Sequence, residues 1–118
     1  MSAPNLNGRV FVPVKNSEDG TAGPDTIFIF RQDGKNFVAN YSGGSVKDGH
    51  LMGIFETAAT AQIIYHCRTD TGILKTGKAA ARFTRNQTGR LTIDMDWEWL
   101  SGDVGTGQSR YEELDHEP

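Results

Sequence analysis

The side chains in this sequence best suited to holding another molecule are five aromatics with a polar tip: Tyr41, Tyr65, Trp97, Trp99 and Tyr111. Trp and Tyr combine an apolar body with a donor that finds a partner when buried. Gathered around one cavity, they would suit a small planar, apolar or aromatic ligand. They equally suit a filled core with the tips at its rim. Both readings stay open until the elements that carry them are placed.

Other motifs carry less. Gly72-Ile-Leu-Lys-Thr-Gly77-Lys78 has the spacing of a phosphate loop, but Ala79 stands where a hydroxyl should hold magnesium, and no helix follows. The glycines of Gly102-Asp-Val-Gly105-Thr-Gly107 follow no βαβ unit and read as a hairpin turn or a lid. Asp94, Asp96 and Glu98 share one strand face, and a flat stripe does not converge on a hard cation. His50, His66 and His116 show no metal-ligand spacing, and His66 and Cys67, adjacent on a strand, point to opposite faces. No metal and no cofactor are expected. Cys67 reads as a small buried hydrophobe, because the inferred lining offers no basic neighbour to make a thiolate. Asn40-Tyr-Ser42 and Asn86-Gln-Thr88 match the glycosylation triplet without a secretion signal to give it meaning.

Composition narrows the class. The chain has 118 residues, 36% hydrophobic and 23% charged, with 12 basic against 15 acidic side chains. That is room for one domain. A net charge of -3 argues against a surface that tracks nucleic-acid phosphates. No apolar run approaches the ~18 residues of a spanning helix, so no membrane partner is expected. With one cysteine, no intramolecular disulfide forms. The start Met1-Ser-Ala-Pro-Asn5 lacks the pattern of a signal peptide, and a cytoplasmic domain is expected.

Turn-forming clusters divide the chain into eight short segments rich in β-branched and aromatic residues. They are Arg9–Lys15, Thr26–Arg31, Phe37–Tyr41, His50–Glu56, Ala61–Arg68, Ile73–Thr84, Leu91–Leu100 and Gln108–Leu114. The tails Met1–Leu6 and Asp115–Pro118 read as frayed. Short connections imply an antiparallel meander, and closure removes its exposed edges. The predicted fold is all-β, a single-domain eight-stranded antiparallel up-and-down barrel. In plan it is similar to lipocalin- or avidin-like barrels.

The seventh segment shows which face is inside. Leu91, Ile93, Met95, Trp97 and Trp99 alternate with Thr92, Asp94, Asp96 and Glu98, so the apolar set lines the interior. Carried through the hairpins, this sets Tyr65 against Gly77 and Ile63 against Ala79. It also sets Lys78 against Asp96, Arg82 against Thr92, Glu98 against Arg110 and Trp97 against Tyr111. The predicted lining is Ile63, Tyr65, Cys67, Gly77, Ala79, Ala81, Ile93, Met95, Trp97, Trp99 and Tyr111, joined by Phe37, Ala39, Tyr41, Met52 and Ile54. Ile27-Phe28-Ile29-Phe30 is apolar on both faces. Its outer face either pairs with a second copy, making a homodimer through Ile27–Phe30, or lies under a loop or the N-terminal tail.

These features give three functional readings. The first is a small-molecule binding barrel with its ligand at the aromatic mouth. The second is a barrel enzyme of isomerase or cyclase type, with Tyr65 or Tyr41 as acid and Glu56 as the one carboxylate able to point inward. The third is a protein-interaction module using residues 26–31.

Several stretches carry a family resemblance: Asn7-Gly-Arg-Val-Phe11, Asn40-Tyr-Ser-Gly-Gly44, Tyr65-His66, Thr76-Gly-Lys78, Asp96-Trp-Glu-Trp99 and Gly107-Gln-Ser109. Over residues 7 to about 113 the chain resembles a family of short uncharacterised bacterial proteins, some labelled N-acetylglutamate synthase. An acetyltransferase of the usual fold needs helices and a pyrophosphate loop at a helix N-terminus. The resemblance therefore implies a single domain and transfers no catalytic residue.

Overall fold

The computed structural model describes residues 4–16, 23 and 25–114. Its strands are β1 (Val10–Asn16), β2 (Ile27–Asp33), β3 (Asn36–Gly43), β4 (Val46–Phe55), β5 (Thr60–Thr69), β6 (Leu74–Arg85), β7 (Leu91–Ser101) and β8 (Thr106–Glu113). Each pairs antiparallel with the next, and β8 returns to β1 to close the barrel. The closed eight-stranded barrel expected from the turn pattern is the fold.

Period-two alternation sets the two faces. In β7, Leu91, Ile93, Met95, Trp97 and Trp99 are buried while Asp96 and Glu98 are exposed. Four inward aromatics lie flat on a glycine of the neighbouring strand: Phe37 on Gly53, Tyr41 on Gly49, Tyr65 on Gly77 and Trp97 on Gly107. A Cβ at any of these glycines would overlap the facing ring, so the pairs set large against absent side chains as a narrow barrel requires. Gly53→Val is expected to lower stability by about 1–3 kcal/mol through overpacking against Phe37, read as a lower urea midpoint.

The two ends differ. One is filled by Leu6, Phe11, Phe30, Phe37, Phe55, Phe83 and Leu91. Its rings meet at centroid distances of 5.1 Å for Phe11–Phe30, 5.1 Å for Phe37–Phe55 and 5.0 Å for Phe55–Phe83. Beside this plug the buried Glu113 carboxylate pairs with Arg9 and accepts the Leu91 N–H at 3.1 Å. The other end carries the tyrosines and tryptophans.

Of the three registers expected from the sequence, one holds unchanged: Tyr65 opposes Gly77 and Ile63 opposes Ala79. Around residues 86–90 the pairing slips by two, so Lys78 faces Glu98 and Arg82 faces Asp94. The Asn86 side chain organises that turn by accepting the Thr88 and Arg90 N–H groups at 3.0 and 3.1 Å. Between β7 and β8 the slip is four. Arg110 faces Asp94, Tyr111 faces Ile93 and Trp97 faces Gly107. Gly102, at φ 79°, reverses the chain early, and Trp99 N–H donates to Gly105 O at 3.0 Å. Even slips move neighbours without exchanging faces, so the inward set of β6 to β8 is unchanged.

Three expectations are corrected. Met52 and Ile54 point outward, 53% and 42% exposed, while Leu51 and Phe55 are buried. Both sets in β4 are apolar, so alternation alone could not choose, and a register irregularity between Tyr41 and Gly43 decides it. Glu56 is exposed and accepts Gln62 Nε2 at 3.2 Å, so it is not a lumen base. Leu6 is fully buried, its N–H donating to Gln32 Oε1 at 2.6 Å, and does not fray. In β2, apolar on both faces as expected, Phe28 and Phe30 face in and Ile27 and Ile29 face out. The tail residues 1–3 and 115–118 lie outside the described residues.

Candidate functional site

At the open end, inward side chains from all strands but β6 surround a cavity of about 50 Å³. Its walls are Asn16 of β1, Phe28 of β2, Tyr41 of β3, Val46 and Leu51 of β4, Tyr65 and Cys67 of β5, Met95, Trp97 and Trp99 of β7, and Ser109 and Tyr111 of β8. All three tyrosines and both tryptophans of the chain are among them. A space of this size holds one or two waters, against ~150 Å³ in a cavity that admits benzene. Entry of a ring-sized ligand therefore requires the wall to move.

The polar tips are engaged. Trp97 Nε1 donates to Ser109 Oγ at 2.7 Å, and Ser109 in turn donates to Asn16 Oδ1. Tyr41 OH donates to His66 O at 3.1 Å and Tyr65 OH to Glu98 O at 3.4 Å. The rings pack on one another, with Phe28 stacked on Tyr41 at 4.5 Å and Tyr65 edge-on to Trp99 at 5.5 Å.

Electrostatically the wall is neutral. Burial pushes the Tyr111 phenol up to about 12, partly offset by its hydrogen bond with Ser109. Burial, with repulsion from neighbouring ionisable groups, raises Tyr41 and Tyr65 as well. Raised phenols make poor acids near neutral pH, which counts against the proton-transfer reading. Since the folded pKa of Tyr111 exceeds the unfolded value of about 10, its contribution to stability is complete below pH 10 and fades between pH 10 and about 12. Absorbance titration at 295 nm is expected to show no free phenolate at pH 10 in the folded protein. A phenol ionising near its ordinary value would contradict this environment.

Asn16, Phe28, Val46, Leu51 and Ser109 of the wall are absent from the expected lining, and so is Lys75 at its rim. Lys75 has the inward parity of Gly77 and lies opposite Cys67. Its Nζ sits 5.0 Å over the Trp99 ring and 2.9 Å from Asp103 Oδ2 of the β7–β8 turn. The thiol thus has a basic neighbour, contrary to expectation. Its pKa is nevertheless raised, because burial outweighs the pull of Lys75. Lys75, Trp99 and Asp103 tie the β7–β8 turn to the rim of the mouth. Parity with Gly77 was the available signal. For Asn16 there was none, because its pairing with Ser109 exists only once β1 meets β8.

A family model described as Avidin-like protein matches residues 4–114, which takes in all eight strands and every wall residue of the cavity. The chain belongs to the avidin-like family. No curated protein and no solved structure matches it. Among the described residues of this avidin-like barrel, no helix is long and apolar enough to cross a membrane.

Proposed function

We propose that this avidin-like barrel binds a small, uncharged, apolar or aromatic ligand at its open end. The observation that carries the reading is the asymmetry of the barrel. Phenylalanines plug one end, whereas every tyrosine and tryptophan gathers at the other around a cavity with a built polar chain, Trp97–Ser109–Asn16. Tyr41, Tyr65, Trp97, Trp99 and Tyr111 supply the apolar walls, and the polar chain fixes orientation. The ligand enters as the β7–β8 turn lifts and the rings at the rim re-pack.

A thermal-shift screen of neutral aromatic and heterocyclic compounds tests this. Hits are expected to raise the melting temperature, and Ser109→Ala should weaken them roughly tenfold by removing the hydrogen-bond partner. Hits indifferent to Ser109→Ala would place the ligand elsewhere. The enzymatic reading loses its candidate base, since Glu56 faces water and the buried Glu113 is held by Arg9 and the Leu91 N–H. Nor does the N-acetylglutamate synthase label gain support, because no helix is present among the described residues to receive a pyrophosphate.

A homodimer through Ile27–Phe30 is a second reading, favoured by the 43% and 53% exposure of Ile27 and Ile29. Only those two side chains could form the contact, because Phe28 and Phe30 belong to the core. Ile29→Lys is expected to leave the fold intact and convert a dimer to a monomer in sedimentation equilibrium. A wild-type mass of one chain would remove the reading.

A further inference from the structure

Outside the pocket, the register between β4 and β5 sets His50 directly opposite His66 on the outer face of the barrel. The two imidazole centroids are 5.5 Å apart with ring planes inclined at 42°. Two imidazoles that share one ion at metal–nitrogen distances of 2.0–2.1 Å have centroids about 4.5 Å apart when cis in a square plane, as copper(II) prefers, and about 5 Å apart at a tetrahedral angle. Strand pairing holds the two positions side by side, so rotation of the side chains is what closes the remaining gap. The neighbouring row is already satisfied, since Arg68 binds Asp48 through two hydrogen bonds of 3.0 and 2.8 Å. Among the described residues no group of three or more His, Cys, Asp or Glu converges as a metal site. The pair therefore offers two nitrogen donors and no third protein ligand of these types among the described residues.

We propose that His50 and His66 chelate one borderline divalent transition ion, copper(II) in preference to nickel(II) or zinc(II). Imidazole suits all three ions, and the preference follows the general order of affinity for nitrogen donors. Fifteen residues lie between the two histidines in the chain, and strand pairing alone brings them together. Ligand spacing along the chain therefore carries no sign of the site.

Copper(II) titration of the tag-free protein, by calorimetry and electron paramagnetic resonance, tests the proposal. A His116→Gln background removes the third histidine. One ion per chain with two-nitrogen coupling is expected. His50→Gln and His66→Gln should each weaken binding roughly 100-fold, because the second ligand no longer acts at high effective concentration. Unchanged melting curves of the metal-free variants would show that the barrel is intact. Equal copper affinity in parent and single variants, or no binding by the parent, would overturn the site.

Discussion

Glu113→Ala is expected to lower the unfolding free energy by about 3 kcal/mol, a drop in melting temperature on the order of 10 °C. Glu113 is a buried carboxylate serving two donors, Arg9 and the backbone N–H of Leu91. Truncation leaves the Leu91 N–H and a half-buried guanidinium without their acceptor beside the phenylalanine plug. The loss comes mainly from those stranded donors, not from the ion pair itself. Arg9→Met combined with Glu113→Ala is therefore expected to recover part of the deficit, and chemical denaturation of both single variants and the double variant measures the coupling. A loss below about 1 kcal/mol, the range of an exposed pair, would show that the barrel does not depend on this contact.

Trp97→Ala is the second large effect, a loss of about 3–5 kcal/mol. The indole rests on Gly107, donates to Ser109 and packs on Trp99 at a centroid distance of 5.7 Å. Its removal enlarges the cavity from about 50 Å³ by the volume of the indole. Free indole is then expected to stabilise the variant and leave the wild-type melting temperature unchanged or less affected. Equal stabilisation of both proteins would mean that indole binds elsewhere.

Much of this was legible in the residues. The clean alternation of Leu91 to Trp99 carries one polar face, so the faces of β6 to β8 followed and survived register slips of two and four. In β4 the alternation fails as a guide, because Leu51 and Met52 are both apolar and only the pairing with β3 settles which is inside. The five aromatics were identified in the sequence, and the structure sets them around one cavity. What strand-by-strand reading could not reach was whatever depends on closure or on a turn. Asn16 meets Ser109 across the closing pair, Lys75 reaches Asp103 of the β7–β8 turn, and Glu113 joins Arg9, just ahead of β1, to Leu91 of β7.

Both indoles of the chain line the cavity, so intrinsic tryptophan emission reports on the proposed site and on no other part of the barrel. Titrating the folded protein with a panel of small neutral aromatic and heterocyclic compounds should yield at least one that saturates at one molecule per chain and shifts that emission, with the effect weakened by Ser109→Ala. A panel that leaves the emission unmoved, or a binder whose emission change survives Ser109→Ala undiminished, would contradict a ligand site at the barrel mouth.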